Sequence, residues 1–162
     1  MPKPLYKKVN KLKLAQAGYV AAFIDGEGSI TLPRFKSNGK NHEYYRRLSI
    51  TISNTELRPL REIMKMIGVG KITNKNPSSK NHLISYAYQI NSQQALDVII
   101  QIYPYLLTYK KERAGLVLKE YKKVTPRNGK YNKIILKKKE AFVKKFFSIL
   151  PGNKARQKPK FI

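Results

Sequence analysis

Hydrophobic residues recur with two different periods along the chain, and this pattern predicts its secondary structure. Apolar and small residues at spacings of three and four predict a helix from Lys11 to about Ile24. Alternating apolar and polar residues predict strands over 29–36 and 44–53. A buried stripe of leucine, isoleucine and methionine then predicts a helix from about Asn54 to Ile67.

The strand–strand–helix pattern then repeats. Strands are predicted over 71–75 and 83–90, followed by a helix from Ser92 to about Leu107. Two more helices are predicted at about 110–123 and 133–150, before a basic tail over 151–162. The expectation is therefore an α+β fold in a single domain, residues 1–162. Its core, about 11–150, has the order α-β-β-α-β-β-α with a four-stranded antiparallel sheet, covered by helices on one face, and additional C-terminal helices.

Proline, asparagine and glycine mark the expected boundaries. Pro33 interrupts the alternation of the first strand, which predicts a bulge or an edge position there. Turns are predicted over 37–41 and 76–81, and Gly26 and Gly28 are expected to end the first helix. A capping box over 53–56 favours a start of the second helix near Asn54, whereas Pro59 favours a start nearer Glu56.

The composition limits the classes of function. Of 162 residues, 34 are Lys or Arg and 9 are Asp or Glu, which gives a formal net charge of +25. Such an excess predicts a polyanionic partner, with nucleic acid ahead of a membrane surface or an acidic protein. The chain has no cysteine and only two histidines, which argues against thiolate or His-rich metal sites. No apolar run reaches membrane-spanning length and no signal peptide is evident, so an intracellular protein is expected, with the compartment left open.

The charge is distributed unevenly. From Lys119 onward there are 15 basic residues against two acids, whereas residues 14–30 contain no Lys or Arg. That uncharged stretch holds Asp25 and Glu27, each followed by a glycine. A carboxylate that faces a nucleic acid reduces affinity unless it binds a cation. The acidic spot is therefore either surface decoration or a metal site.

Outward positions of the predicted sheet carry hydroxyl, amide and cationic groups that suit the major groove of DNA. The alternative is an ordinary solvated face, but the charge excess requires a ligand. The predicted DNA-binding residues are Ser29, Thr31, Arg34, Lys36, Tyr45, Arg47, Ser49, Thr51, Lys71, Thr73, Lys75, Ser85 and Gln89.

The segment Val20-Ala21-Ala22-Phe23-Ile24-Asp25-Gly26-Glu27-Gly28-Ser29-Ile30 resembles the motif of the LAGLIDADG homing endonucleases. The motif occurs once, which resembles the single-motif homodimeric branch of the family. The resemblance covers roughly residues 12–150. It includes the Gly68-Val69-Gly70 turn and the segments 104–106 and 110–114, and its core has the element order predicted above.

The resemblance implies a metal-dependent active site at a dimer axis. The motif acid corresponds to Glu27, with Gly28 supplying a backbone carbonyl, and the implied ion is Mg²⁺. Mn²⁺ is expected to substitute, and Ca²⁺ is expected to bind without supporting cleavage. The motif helices of two subunits pack together, which places Gly18, Ala21, Ala22 and Asp25 at the expected dimer interface.

Three further residues correspond to catalytic positions of the family. Lys110 matches a lysine that reaches the active site, and Asn54 matches a polar residue that helps to place water. Arg58 matches a basic residue near the site, with Arg61 as the alternative because the spacing around Pro59 differs. The chain also carries Ala22 where the family usually has glycine, and this methyl group could widen the helix crossing.

Two functions are therefore weighed. The first is an intron-encoded type of homodimeric endonuclease that hydrolyses both strands of double-stranded DNA at a long pseudo-palindromic target. The second is a non-catalytic RNA-binding protein on the same scaffold, either an intron maturase or a ribosome-associated protein, with intron RNA as partner. The acid at Glu27 and the lysine at Lys110 favour the enzyme.

Overall fold

The computed structural model describes residues 6–36, 44–75, 84–126 and 131–152. These residues belong to two compact units, Met1–Tyr105 and Leu106–Ile162. The predicted turns over 37–41 and 76–81 and nearly all of the predicted tail lie outside the described residues. The single domain expected from the sequence stays a prediction.

The first unit contains most of the predicted core. Its elements are α1 (Leu14–Glu27), β1 (Gly28–Thr31), β2 (Arg34–Lys36), β3 (Tyr44–Arg46), β4 (Ser49–Asn54), α2 (Leu57–Ile67), β5 (Lys71–Lys75), β6 (Ser85–Asn91), α3 (Ser92–Ile102) and a short 3-10 helix (Tyr103–Tyr105). The second unit contains α4 (Tyr109–Val124) and α5 (Lys133–Ser148). The predicted α+β fold is confirmed, including its order of helices and strands.

Strands β1, β4, β6 and β5 form one antiparallel sheet in that spatial order. Ile30, Ile52 and Ile90 are buried on the face against which α1, α2 and α3 pack. Complete burial of one such side chain stabilises a fold by roughly 1.5–3 kcal/mol. The alternation of apolar and polar residues therefore determines which face of the sheet packs against the helices and which face stays open to a ligand.

Both strands of the first predicted hairpin are interrupted. Residues 32–33 separate β1 from β2, and residues 47–48 separate β3 from β4. Strands β2 and β3 consequently form a separate two-stranded ribbon. Pro33 lies at the first interruption, as predicted, because proline has no N–H to donate to a sheet.

Three helix boundaries differ clearly from the expected ones. Helix α1 begins at Leu14 rather than Lys11, and it continues through Gly26 to Glu27 and ends only at Gly28. Helix α2 begins at Leu57 with Glu56 as its N-cap, which agrees with the start that Pro59 favoured, because the N–H groups of the first turn have no partner within the helix. Helix α3 ends at Ile102 rather than near Leu107, since Pro104 cannot continue the α-helical hydrogen bonds.

In the second unit, α4 and α5 pack through aromatic side chains. Tyr121 and Phe142 are buried, with ring centroids 6.3 Å apart, and Phe146 is buried beside them. The Arg113 guanidinium donates to the carbonyl of Ile149 at 2.9 and 3.1 Å, which ties α4 to the end of α5. Among the described residues, no helix combines the length and the hydrophobicity needed to cross a membrane.

Gly70, in the turn before β5, permits a sharp stability prediction. Its φ is +96°, and an added Cβ would lie 2.6 Å from Cε2 of Tyr88 and 2.8 Å from the carbonyl oxygen of Gln89. Gly70→Ala should therefore lower the free energy of unfolding by about 2 kcal/mol or more.

Gly26→Ala is the matched control: Gly26 is helical and its added Cβ would meet nothing within 4 Å. This control should be neutral or stabilising by about 0.5–1 kcal/mol. Chemical denaturation of both variants measures the difference, and equal stabilities would contradict the geometry.

Candidate nucleic-acid interface and acidic site

The acidic site lies where α1 becomes β1. Glu27 is the last residue of α1 and is exposed, and Gly28 begins β1 directly after it. The N–H of Gly28 donates to the carbonyl of Ile24. A Cβ at Gly28 would lie 2.7 Å from Cα and 2.9 Å from the carbonyl oxygen of Ile24, so only glycine fits. This glycine therefore allows the chain to pass from helix to strand with Glu27 at the corner.

Glu27 is a negative charge without a cationic partner in a basic chain. Among the described residues, no Lys or Arg forms an ion pair with it. No group of three or more His, Cys, Asp or Glu side chains with metal-binding geometry occurs in the described part of the chain. Within the described part of the chain, the corner thus offers one accessible carboxylate, that of Glu27.

The predicted catalytic residues Asn54 and Arg58 lie at the same end of the sheet as Glu27. Gly28 is paired with Ile52, so the start of β1 lies beside the end of β4, where Asn54 is the last residue. The Asn54 Oδ1 accepts from the backbone N–H of Glu56 at 2.8 Å, which leaves its Nδ2 as the group available to a ligand. Arg58 is exposed in the first turn of α2.

The alternative basic residue, Arg61, is exposed one turn further along α2. Because Arg58 is only four residues beyond Asn54, it is the closer of the two to the end of β4 along the chain. The catalytic assignment of Arg58, with Arg61 as the alternative, stays a prediction.

Lys110 lies in the second unit, in the first turn of α4. Its side chain is only 6% exposed, and no other Lys, Arg, Asp or Glu is buried among the described residues. The hydroxyl of Thr108 caps the helix by accepting from the N–H of Lys110 at 3.3 Å. A buried lysine is uncommon because removing an ammonium group from water is costly, and such residues are concentrated at functional sites.

The open face of the sheet presents a polar row that crosses all four strands. Ser29 is paired with Thr51, Thr51 with Gln89, and Gln89 with Lys71. Lys71 is exposed and the other three side chains are half-buried. Of the other predicted contacts on this sheet, Thr73 is exposed and Thr31 and Ser85 are half-buried, while the Lys75 side chain lies outside the described residues.

The predicted DNA contact of Ser49 is wrong. Ser49 is completely buried in the folded chain. The Nε2 group of Gln89 donates to its Oγ at 3.1 Å. Ser49 therefore holds the side chain of Gln89 in place and is removed from the surface that a ligand could reach.

The ribbon also divides residues that were predicted to share one surface. Arg34 is paired with Arg46, and Phe35 with Tyr45. Adjacent residues of a strand point to opposite faces, so Arg34 and Lys36 lie on one face while Tyr45 lies on the other. Arg47 belongs to the second group, because its guanidinium carbon lies 3.7 Å from the centre of the Phe35 ring.

Two ribbon residues, Arg46 and Phe35, were missed by the sequence analysis. Arg46 Nη1 donates to the carbonyl of Leu32 at 2.6 Å. Burial, followed by the neighbouring charge of Arg34, lowers the pKa of Arg46. Phe35 supports both Tyr45, at a centroid distance of 5.9 Å, and Arg47. Only the cross-strand register reveals these neighbours.

The expected dimer face of α1 is partly accessible. Ala22 is exposed, and Gly18 and Asp25 are half-buried. Ala21, in contrast, is completely buried within the chain, because α1 turns this side chain toward the core. A second copy can therefore contact Gly18, Ala22 and Asp25 but not Ala21, which corrects the predicted interface.

Comparison with solved structures confirms the fold. I-CvuI in complex with its target in the presence of 2 mM Ca shares 20% identity and a TM-score of 0.69, over 84% of this chain and 82% of that chain. The archaeal intron-encoded homing endonuclease I-Vdi141I, complexed with DNA, shares 16% identity with a TM-score of 0.56, over 84% of both chains. I-GzeII in complex with its DNA target shares 20% identity and a TM-score of 0.59, over 86% of this chain and 44% of that chain.

The sequence comparison is more specific than the structural likeness. No curated protein matches the chain. The family described as LAGLIDADG endonuclease, however, matches residues 20–124, which include the α1–β1 corner, all of the four-stranded sheet and helix α4. On this match over more than half of its length, the chain belongs to the LAGLIDADG endonuclease family.

Proposed function

We propose that the chain is a homing endonuclease that acts as a homodimer, binds a long pseudo-palindromic DNA target and hydrolyses both strands with a divalent metal ion. The observation that carries this proposal is the exposed carboxylate of Glu27, which forms no ion pair among the described residues, at the helix–strand corner of a protein with a net charge of +25. The family to which the chain belongs and the DNA complexes of I-CvuI and I-GzeII support the substrate.

The donor set at the corner suits a hard cation. Glu27 offers carboxylate oxygens and Gly28 a backbone carbonyl, which are the ligand types that Mg²⁺ and Mn²⁺ prefer. When bound, the ion supplies positive charge that stabilises the scissile phosphate as it reacts. Since one copy lacks a full set of ligands among its described residues, the remainder would come from the partner's equivalent groups, phosphate oxygens and water.

The open face of the sheet is proposed to bind the DNA duplex. The row from Ser29 to Lys71 combines hydroxyl, amide and ammonium groups at successive strand positions. Gln89 is suited to base readout, because Ser49 fixes its Nε2 group and a fixed amide can discriminate between bases. Tyr45 and Arg47 extend this polar surface along the ribbon, while the exposed Arg34 and Lys36 are proposed to contact phosphate on its other face.

Catalysis is assigned to four side chains of each copy. In this assignment Glu27 would hold the metal ion, Asn54 would orient water, and Lys110 would supply positive charge for the reaction. Arg58 is proposed to neutralise a neighbouring phosphate. The low exposure of Lys110 supports its assignment, because a lysine is rarely buried unless it has a structural or functional partner.

A dimer is proposed because one copy presents a single acidic corner, at Glu27, whereas cutting both strands of a duplex requires two sites. Gly18 and Ala22 give α1 a narrow accessible face, on which a second α1 could approach closely. A two-fold axis through this contact would bring two Glu27 residues together and would match a pseudo-palindromic target.

Cleavage-site selection on a library of randomised duplexes tests the proposal. With Mg²⁺ or Mn²⁺ we expect one family of two-fold-related sequences to be cut on both strands, and chelation with EDTA should abolish cutting. Ca²⁺ should support binding without cleavage. Uncut DNA throughout the library, together with tight binding to structured RNA, would overturn the endonuclease and favour an RNA-binding protein.

A further inference from the structure

A basic groove lies at the β5 edge of the sheet, away from the acidic corner. It has a volume of about 750 Å³, and its polar lining consists of three lysines and three amides, Lys7, Lys65, Lys71, Gln89, Asn91 and Gln94. None of the residues that line it is acidic. A concave surface whose charged and polar side chains are all lysines and amides has the chemistry of a site for an anion with several oxygens.

The turn that forms one wall of the groove is held rigidly. Gly68 and Gly70 both have positive φ, and no side chain fits at Gly70. The buried hydroxyl of Tyr88 donates to the carbonyl of Val69 at 2.5 Å. The backbone before Lys71 is therefore fixed, so the groove is formed before any ligand arrives.

The segment that precedes α1 brings Lys7 to the groove. Gln94 Nε2 donates to the carbonyl of Lys7 at 2.8 Å, and the N–H of Asn10 donates to the carbonyl of Ile67 at 2.9 Å. The hydroxyl of Tyr6 donates to Asp97 at 2.9 Å. These bonds attach the segment to both α2 and α3, which positions Lys7 opposite residues far away in sequence.

The groove is continuous with the polar row of the sheet, since Lys71 and Gln89 belong to both. We propose, resting on the function proposed above, that the groove binds a backbone phosphate of the duplex where the DNA passes the β5 edge. The contact would extend the DNA footprint beyond the residues that face base edges. It would contribute affinity and register rather than sequence preference.

The test compares two double variants of the full-length chain. Lys7→Gln with Lys65→Gln removes two groove lysines. Lys8→Gln with Lys11→Gln removes two exposed lysines of the same N-terminal region that do not line the groove. We expect the magnitude of the slope of log affinity against log salt to fall by about 2 for the groove variant only, about 1 for each copy in the proposed dimer. Phosphate ethylation interference should disappear at two symmetry-related flanking phosphates, with the single-turnover cleavage rate at saturating protein unchanged.

Each other outcome has a distinct meaning. Equal changes in the salt slope of both double variants would show that these lysines act only through the overall positive charge of the chain. That result would overturn the groove as a specific phosphate site. Inorganic phosphate binding that depends on the groove lysines, with an unchanged DNA slope, would assign the groove to a free anion and overturn the DNA contact. If the wild type neither binds nor cuts any duplex, the proposed function itself fails, whereas unaltered binding by the groove variant of an active enzyme defeats this inference alone.

Discussion

Glu27→Gln should abolish cleavage, with a loss of at least about 10³-fold in the single-turnover rate, while the fold and DNA binding persist. The change removes one negative charge and leaves the shape of the side chain intact. A 10³-fold loss corresponds to about 4 kcal/mol of transition-state stabilisation, which is the order expected when a metal site loses its charged ligand.

The metal dependence of binding separates this explanation from a structural role. Without divalent ions, the variant should bind DNA as tightly as the wild type or more tightly, because an uncompensated carboxylate repels phosphate. Addition of Ca²⁺ should strengthen binding by the wild type but not by the variant. Fluorescence anisotropy with labelled duplex measures both effects.

Glu62→Gln is the matched control, since Glu62 is an exposed acid on α2 outside the proposed site. It should leave cleavage, binding and the response to Ca²⁺ unchanged. If Glu27→Gln loses binding together with cleavage, or if both variants behave alike, Glu27 does not hold the metal ion.

The fold could be predicted to a large extent because local and periodic signals agree. The apolar alternation around Ile50 and Ile52 identified a strand buried on one face, and both residues are buried. The start of α5 at Lys133 was also predicted correctly, where Asn132 caps the helix by accepting from Ile135 at 2.8 Å. Such signals depend on a few neighbouring residues, which the sequence displays directly.

The site was predictable only where a residue's role depends on its position along the chain. The corner that presents Glu27 follows from the glycine at Gly28, which was expected to end the first helix. The burial of Ser49 and Ala21 was not expected, since it depends on which residues of other elements cover them. Likewise, the division of the ribbon between the faces of Arg34 and Tyr45 requires knowledge of the cross-strand register.

The groove shows the same limit more strongly. Lys7, Lys65 and Lys71 are spread over three segments of the chain, and no spacing in the sequence connects them. Tertiary hydrogen bonds such as that between Gln94 and the carbonyl of Lys7 bring these lysines together. Surface sites of this kind are therefore found only once the packing of the N-terminal segment is known.

Lys110→Met should reduce the single-turnover cleavage rate by about 10²- to 10³-fold without loss of the fold. Methionine has a similar length and fills the same buried position, and removing a desolvated charge can even stabilise a protein. Because a buried residue does not join the diffuse phosphate contacts, the salt dependence of binding should not change.

The control is Lys119→Met, which removes an exposed lysine from the same helix. It should leave the cleavage rate within about threefold of the wild type, because an exposed lysine is screened by water and salt. Stopped-flow or quench-flow cleavage at saturating protein isolates the chemical step from binding. A rate for Lys110→Met equal to that of the control would exclude Lys110 from the site, and a parallel loss of thermal stability would assign it to the packing of α4. If Lys110→Met cleaves slowly but is fully folded and binds DNA, the Lys110 ammonium acts on the reacting phosphate. That role would explain why the chain has a lysine at a buried position otherwise suited to an apolar residue.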